Sequence, residues 1–120
     1  SNNSNLKKIV KIIHKEVRKK MNLFLKKNKN KKAVILDIPL LIENKLFKKE
    51  DILVFVDSKK KDIDKKITKR LNYNKKLVNM FKKIQLSTAY KKKKSQFIIK
   101  NTFTKNSVKK DIKKILKEIL

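Results

Sequence analysis

Two short apolar runs, each closed by an aspartate, constrain the fold of this chain more than any other feature. Ala33-Val34-Ile35-Leu36 runs into Asp37, and Ile52-Leu53-Val54-Phe55-Val56 runs into Asp57. Continuous apolar runs of this length predict strands buried on both faces, as in a parallel sheet. Phe97-Ile98-Ile99 predicts a third. Helical stripes separate them. Leu6, Ile9, Val10, Ile13 and Val17 recur at helical spacing, predicting an amphipathic helix to about Leu25, capped by Ser4 or Asn5. The segment from Lys26 to Lys32 reads as a polar connection. Pro39 suits the first turn of a short helix holding Leu40, Leu41 and Ile42. Ser58 is placed to cap a helix buried along Ile63, Ile67 and Leu71. Leu77, Met80, Phe81 and Ile84 mark another helix, and Val108, Ile112, Ile115, Leu116, Ile119 and Leu120 a closing one. Strands alternating with helices predict an α/β layered domain around a parallel sheet. Ligands sit at the carboxyl ends of such strands, so Asp37, Asp57 and Asn101 are expected at one rim.

Composition removes several classes of function. The chain has 120 residues and no glycine or cysteine, which excludes a disulfide framework, a zinc–thiolate site and any Gly-rich phosphate loop within it. Its single histidine argues against a His-based metal site or a Ser-His-Asp triad. No apolar run approaches the length of a membrane span, so no membrane role is expected. The net charge of +27 suggests an anionic partner, yet 35 of the 37 basic residues are Lys and only Arg18 and Arg70 are Arg. Lys, Asn and Ile, the residues with the most A- and T-rich codons, make up 62 of the 120 positions, so base composition accounts for much of the charge. A protein that reads bases would favour the bidentate Arg. The stretch from Lys65 to Lys110 nonetheless holds 16 basic residues and no acidic one. The phosphates of a small ligand would serve it as well as a polymer. A basic nucleic-acid-binding module stays as the alternative, with a steep salt dependence as its mark.

The most specific string is Ala33-Val34-Ile35-Leu36-Asp37-Ile38-Pro39-Leu40-Leu41-Ile42-Glu43-Asn44. A strand-ending acid is the Walker-B pattern, although many such acids only cap the next helix. The whole string resembles the D-x-P-L-L-F-E segment of the dephospho-coenzyme A kinase family. Other pieces follow in order. Ile12 to Arg18 is similar to that family's I-H-P-L-V-R, and Ile52 to Asp57 to the strand that comes next. Gln85-Leu86-Ser87 stands where the family has Q-L-P, and Phe97 to Asn101 where it has Y-V-I-D-N. The resemblance covers essentially all of the chain.

The resemblance implies a P-loop-kinase-like three-layer α/β domain with a parallel sheet, a helical lid and a C-terminal helix. It reads residues 1–120 as one partial kinase domain. Within it, 6–25 is a coenzyme-side helix and 33–57 holds the core strands and the D-I-P-L-L segment. Residues 71–95 are the lid region, and 96–120 are the last strand and the C-terminal helix. The implied reaction moves the γ-phosphoryl group of ATP, with Mg²⁺, onto the 3′-hydroxyl of dephospho-coenzyme A in the cytoplasm. Another P-loop nucleoside or nucleotide kinase is the runner-up. The family's P-loop and its presumed base precede Ser1, so these residues are expected to be the C-terminal two-thirds of such an enzyme and inactive alone.

The resemblance carries roles to particular residues. Asp37 is the catalytic candidate, holding Mg²⁺ indirectly or orienting the hydroxyl, with a helix cap as the opposing reading. His14, Arg18, Pro39, Leu40 and Glu43 fall on the coenzyme side, where Pro39 and Leu40 also shape a turn and Glu43 faces either ligand or solvent. Arg70, Gln85 and Asn101 fall on the nucleotide side. Departures from the family pattern are Lys15, Ile63, Lys66, Phe81, Ser87 and Lys100, with Lys66, Lys82 and Lys83 left to supply lid charge. Phe24, Tyr73 and Tyr90 are expected in packing rather than on a base, and Lys91 to Lys94 in solvent.

Overall fold

The structure, a computed structural model, describes residues 2–120. These divide into two compact units, the first running to Phe47 and the second from Lys48 to Leu120.

The first unit is one long helix and an irregular return. Helix α1 spans Asn2–Lys27. Ser4 and Asn5 are therefore helical and do not cap it. Its covered stripe is Leu6, Val10, His14, Val17, Met21 and Leu25, with Met21 buried. Ile9 and Ile13, expected inside, are 53% and 51% exposed. Asn28 closes the helix, its backbone N–H and side-chain amide both donating to the Phe24 carbonyl at 3.1 and 2.9 Å. Residues 33–38 do not form the expected strand. The segment has no regular secondary structure and its burial alternates, with Val34, Leu36 and Ile38 half-buried and Ile35 87% exposed. A strand exists only where a neighbour takes its backbone groups, and no ladder forms here. Nor does Pro39 open a helix. Residues 39–45 form a hydrogen-bonded turn, with Leu40 and Lys45 at φ of 54° and 50°. The Leu40 carbonyl accepts from Asn44 N–H at 3.1 Å and from Asn44 Nδ2 at 2.9 Å. Leu46 N–H donates to Leu41 at 3.0 Å, and Leu46 is the most buried core residue, 3% exposed.

The second unit is α/β around a small parallel sheet. Its elements are β1 (Val54–Asp57), α2 (Lys60–Thr68), α3 (Lys75–Ile84), α4 (Thr88–Lys94), β2 (Phe97–Lys100) and α5 (Lys105–Ile119). The two strands run parallel, Val54 opposite Phe97 and Asp57 opposite Lys100. A pinch ahead of the ladder sets this register. Leu53 N–H donates to Gln96 Oε1 at 2.6 Å, and the Leu53 carbonyl accepts from Gln96 N–H at 2.9 Å. Helix α5 packs on β2, and Leu53, Ile99 and Ile115 form the buried core. With two strands only, the expected burial of both faces fails: Val54, Val56 and Ile98 are exposed.

Caps come from the residues just before the helices. Asn74 Oδ1 accepts from Leu77 N–H at 3.1 Å, and Ser87 Oγ from Tyr90 N–H at 3.2 Å. Ser58 does not cap α2; Lys59 holds that position without a side-chain bond. Helix α2 stops at Thr68, leaving Leu71 90% exposed beyond it instead of in the helical stripe. A salt bridge of 3.3 Å from Lys82 to Asp64 ties α3 to α2. No helix among the described residues is long and apolar enough to cross a membrane.

Candidate functional site

Within the second unit, chemistry gathers where the two strands end. Parallel strands bring their last residues to one rim, and the helices that follow line it. Asp57 closes β1, and its carbonyl accepts from Asn101 N–H at 2.8 Å, fixing the first residue beyond β2. Asn101 Oδ1 in turn accepts from Phe103 N–H at 2.9 Å, an Asx turn that shapes the rim loop. The Asp57 carboxylate is taken by Lys92 of α4 at 2.8 Å, and the same ammonium lies 5.9 Å from the Phe55 ring centroid. Lys91 and Lys92 are half-buried, which corrects the expectation of a fully solvated run. The short helix explains this: Thr88, Lys91, Lys92 and Ser95 share one face at helical spacing. That periodicity was the available signal for Lys92.

Beside the rim lies an open depression of about 230 Å³, lined by Asp62, Lys65, Lys66 and Lys69 of α2 and its end, and by Thr102 and Phe103 of the loop. Lys66 Nζ stands 5.3 Å from the Phe103 ring centroid. Three ammonium groups beside one carboxylate make this a place for anions, and phosphate is the anion that lysine point charges hold readily. An exposed aromatic in a polar loop after a strand was the only sequence signal for Phe103.

The expected nucleotide-side residues all belong to this unit. Arg70 is exposed in the turn after α2, its N–H on the Ile67 carbonyl at 3.1 Å and its own carbonyl accepting from Tyr73. Gln85 is exposed at the C-terminal cap of α3. Asn101 is half-buried at the rim. Tyr73 and Tyr90 are exposed, as is Phe24 on α1. The coenzyme-side residues and Asp37 belong to the first unit. Asp37 is exposed near the end of the irregular segment, two residues before Pro39 and the turn that also holds Leu40 and Glu43. Glu43 and Leu40 are half-buried and Pro39 exposed. His14 is half-buried on the covered stripe of α1, while Arg18 points to solvent. Among the described residues no group of three or more His, Asp or Glu could hold a metal ion.

A family model described as dephospho-CoA kinase matches residues 1–107. The chain belongs to the dephospho-CoA kinase family. Two curated relatives carry the name dephospho-CoA kinase: one from Wolbachia pipientis wMel is 32% identical, and one from Wolbachia sp. subsp. Brugia malayi (strain TRS) is 26% identical. Each similarity runs over 114 residues, covering 93% of this chain and 58% of the relative. The chain therefore spans little more than half the length of these relatives. No solved structure gives a significant match.

Proposed function

We propose that the whole protein is an ATP-dependent kinase acting on dephospho-coenzyme A. The family match along residues 1–107 carries this reading, and the Asp37-Ile38-Pro39-Leu40-Leu41 string lies inside it. In the reaction, the ribose 3′-oxygen forms a bond to the γ-phosphorus while the bond from that phosphorus to the β,γ-bridging oxygen breaks, and ADP leaves. The hydroxyl proton passes to a general base. The full fold in this reading is a three-layer P-loop kinase, and the setting is the cytoplasm.

Within this chain, the roles divide by unit. Asp37 would orient the acceptor hydroxyl or hold water around a cation. His14, Arg18, Pro39, Leu40 and Glu43 serve the coenzyme side. Arg70, Gln85 and Asn101 serve the ATP side, where the rim and its lysines favour phosphate. Asp37, an exposed carboxylate, would hold Mg²⁺ through the ion's water shell. The ion would supply charge neutralisation at the transferring phosphoryl group.

The test is ADP release by the full-length protein with ATP and dephospho-coenzyme A, beside an Asp37→Asn variant. Turnover of dephospho-coenzyme A is expected, with a loss on the order of 100-fold in kcat for the variant at unchanged melting temperature. Phosphorylation of nucleosides without dephospho-coenzyme A turnover refutes the reading.

A further inference from the structure

The depression beside α2 combines an aromatic ring with positive charge. Lys65, Lys66 and Lys69 bring three ammonium groups, and the loop brings the Phe103 ring with Lys66 over it at 5.3 Å. A planar base can take that ring face in exchange for the ammonium, and the displaced Lys66 then meets the phosphates the base carries. The loop is built to hold the ring there. Phe103 keeps φ of 62°, a left-handed conformation disfavoured for a residue that bears a side chain.

Directional donors for reading a base edge are already used by the fold. Asn101 N–H is on the Asp57 carbonyl at 2.8 Å, Thr102 N–H on Ser107 Oγ at 3.2 Å, and Phe103 N–H on Asn101 Oδ1 at 2.9 Å. The Thr102 hydroxyl is paired with that of Thr104 at 3.1 Å. The lysines are compact charges on flexible stems, without the fixed fork that separates one base from another. Asp62 can accept from the exocyclic amine of adenine, guanine or cytosine, and equally from the N3–H of uracil. Stacking itself tolerates any base, because every base has a π face.

We propose that this depression takes the phosphoryl donor by stacking and charge alone, so that GTP, CTP and UTP bind in place of ATP with comparable affinity. The inference rests on the reading above that a nucleoside triphosphate binds at this rim. The experiment is calorimetric titration of the full-length protein with ATP, GTP, CTP, UTP and inorganic tripolyphosphate. The four nucleotides are expected within about tenfold of one another, and each about 5–100-fold tighter than tripolyphosphate, the range of one base–aromatic stack. Phe103→Gly, which removes the ring and suits the left-handed backbone, is expected to erase that advantage and leave tripolyphosphate binding unchanged. Phe103→Tyr is expected to keep it. An ATP preference beyond about 100-fold, or a base advantage that survives Phe103→Gly, overturns the proposal. Binding of ATP alone leaves the ATP-dependent reading standing and removes only base tolerance. If no nucleotide binds the folded protein, both fall.

Discussion

Gln96 is the residue whose replacement best tests how the second unit is held in register. Its side-chain oxygen accepts from the N–H of Leu53 at 2.6 Å, across 43 residues of chain, while its own N–H bonds the Leu53 carbonyl. Gln96→Ala leaves the backbone bond and removes only the acceptor, stranding a donor on a buried residue. A donor left without a partner costs about 1–3 kcal/mol, and the exposed position of Gln96 lets water recover part of this, so a loss of about 1 kcal/mol is expected. For a unit of this size that is a fall in melting temperature of about 4–8 °C. Gln96→Glu keeps an oxygen acceptor and is expected to retain most of the stability. Urea unfolding with hydrogen exchange at the Leu53 amide reads both, the amide exchanging about fivefold faster in Gln96→Ala. The reasoning fails if the two variants are equally destabilised, or if Leu53 exchange does not change.

Three further outcomes follow from features of the same kind. Replacing Lys92 by Ala and Asp57 by Asn, singly and together, should give a coupling energy of about 0.2–1 kcal/mol by denaturant unfolding, the range for partly exposed ion pairs. A coupling of zero would mean that the 2.8 Å contact holds α4 to β1 no better than solvent does. Lys45→Gly should stabilise the first unit by about 0.5–1 kcal/mol, because glycine accepts φ of 50° without the penalty lysine meets; a lower melting temperature would contradict this. Binding of single-stranded oligonucleotides, favoured by +27 at low salt, should be lost near 0.15 M salt, as read by fluorescence anisotropy. Tight binding at that salt would revive the nucleic-acid reading.

How far the fold could be read from sequence differs from element to element. Helix α1 was plain from its apolar spacing, but its inward face was not. Ile9 and Ile13 form one stripe with Val17; Val10, His14, Val17 and Met21 form another, one residue displaced, and packing chose the second although it includes a histidine. Hydrophobicity counts both stripes as nearly equal, whereas packing depends on which neighbours return against the helix. The failure at 33–36 has a related cause. An apolar run carries a strand's side chains but not its partner, and the ladder is a property of two segments. β1, β2 and α5 were legible because period and boundary signals agreed. At the rim, Asp57 and Asn101 were foreseen from strand ends, while Lys92 and Phe103 emerged only once α4 and the loop had definite geometry. A lysine run has no chemical contrast along it, and only helical phase distinguishes Lys92 from Lys93.

The parallel pairing also sets a timetable for synthesis. β1 leaves the ribosome 43 residues before its partner β2, an interval of about 2–9 s at typical elongation rates. During it, Ile52 to Val56 is an unpaired apolar segment of the kind that joins other nascent chains. Lys48 and Lys49 precede it, and Lys59, Lys60 and Lys61 follow. Such flanking charges act as gatekeepers against aggregation. Part of the lysine surplus thus guards the chain before it folds, at a stage when the rim does not yet exist.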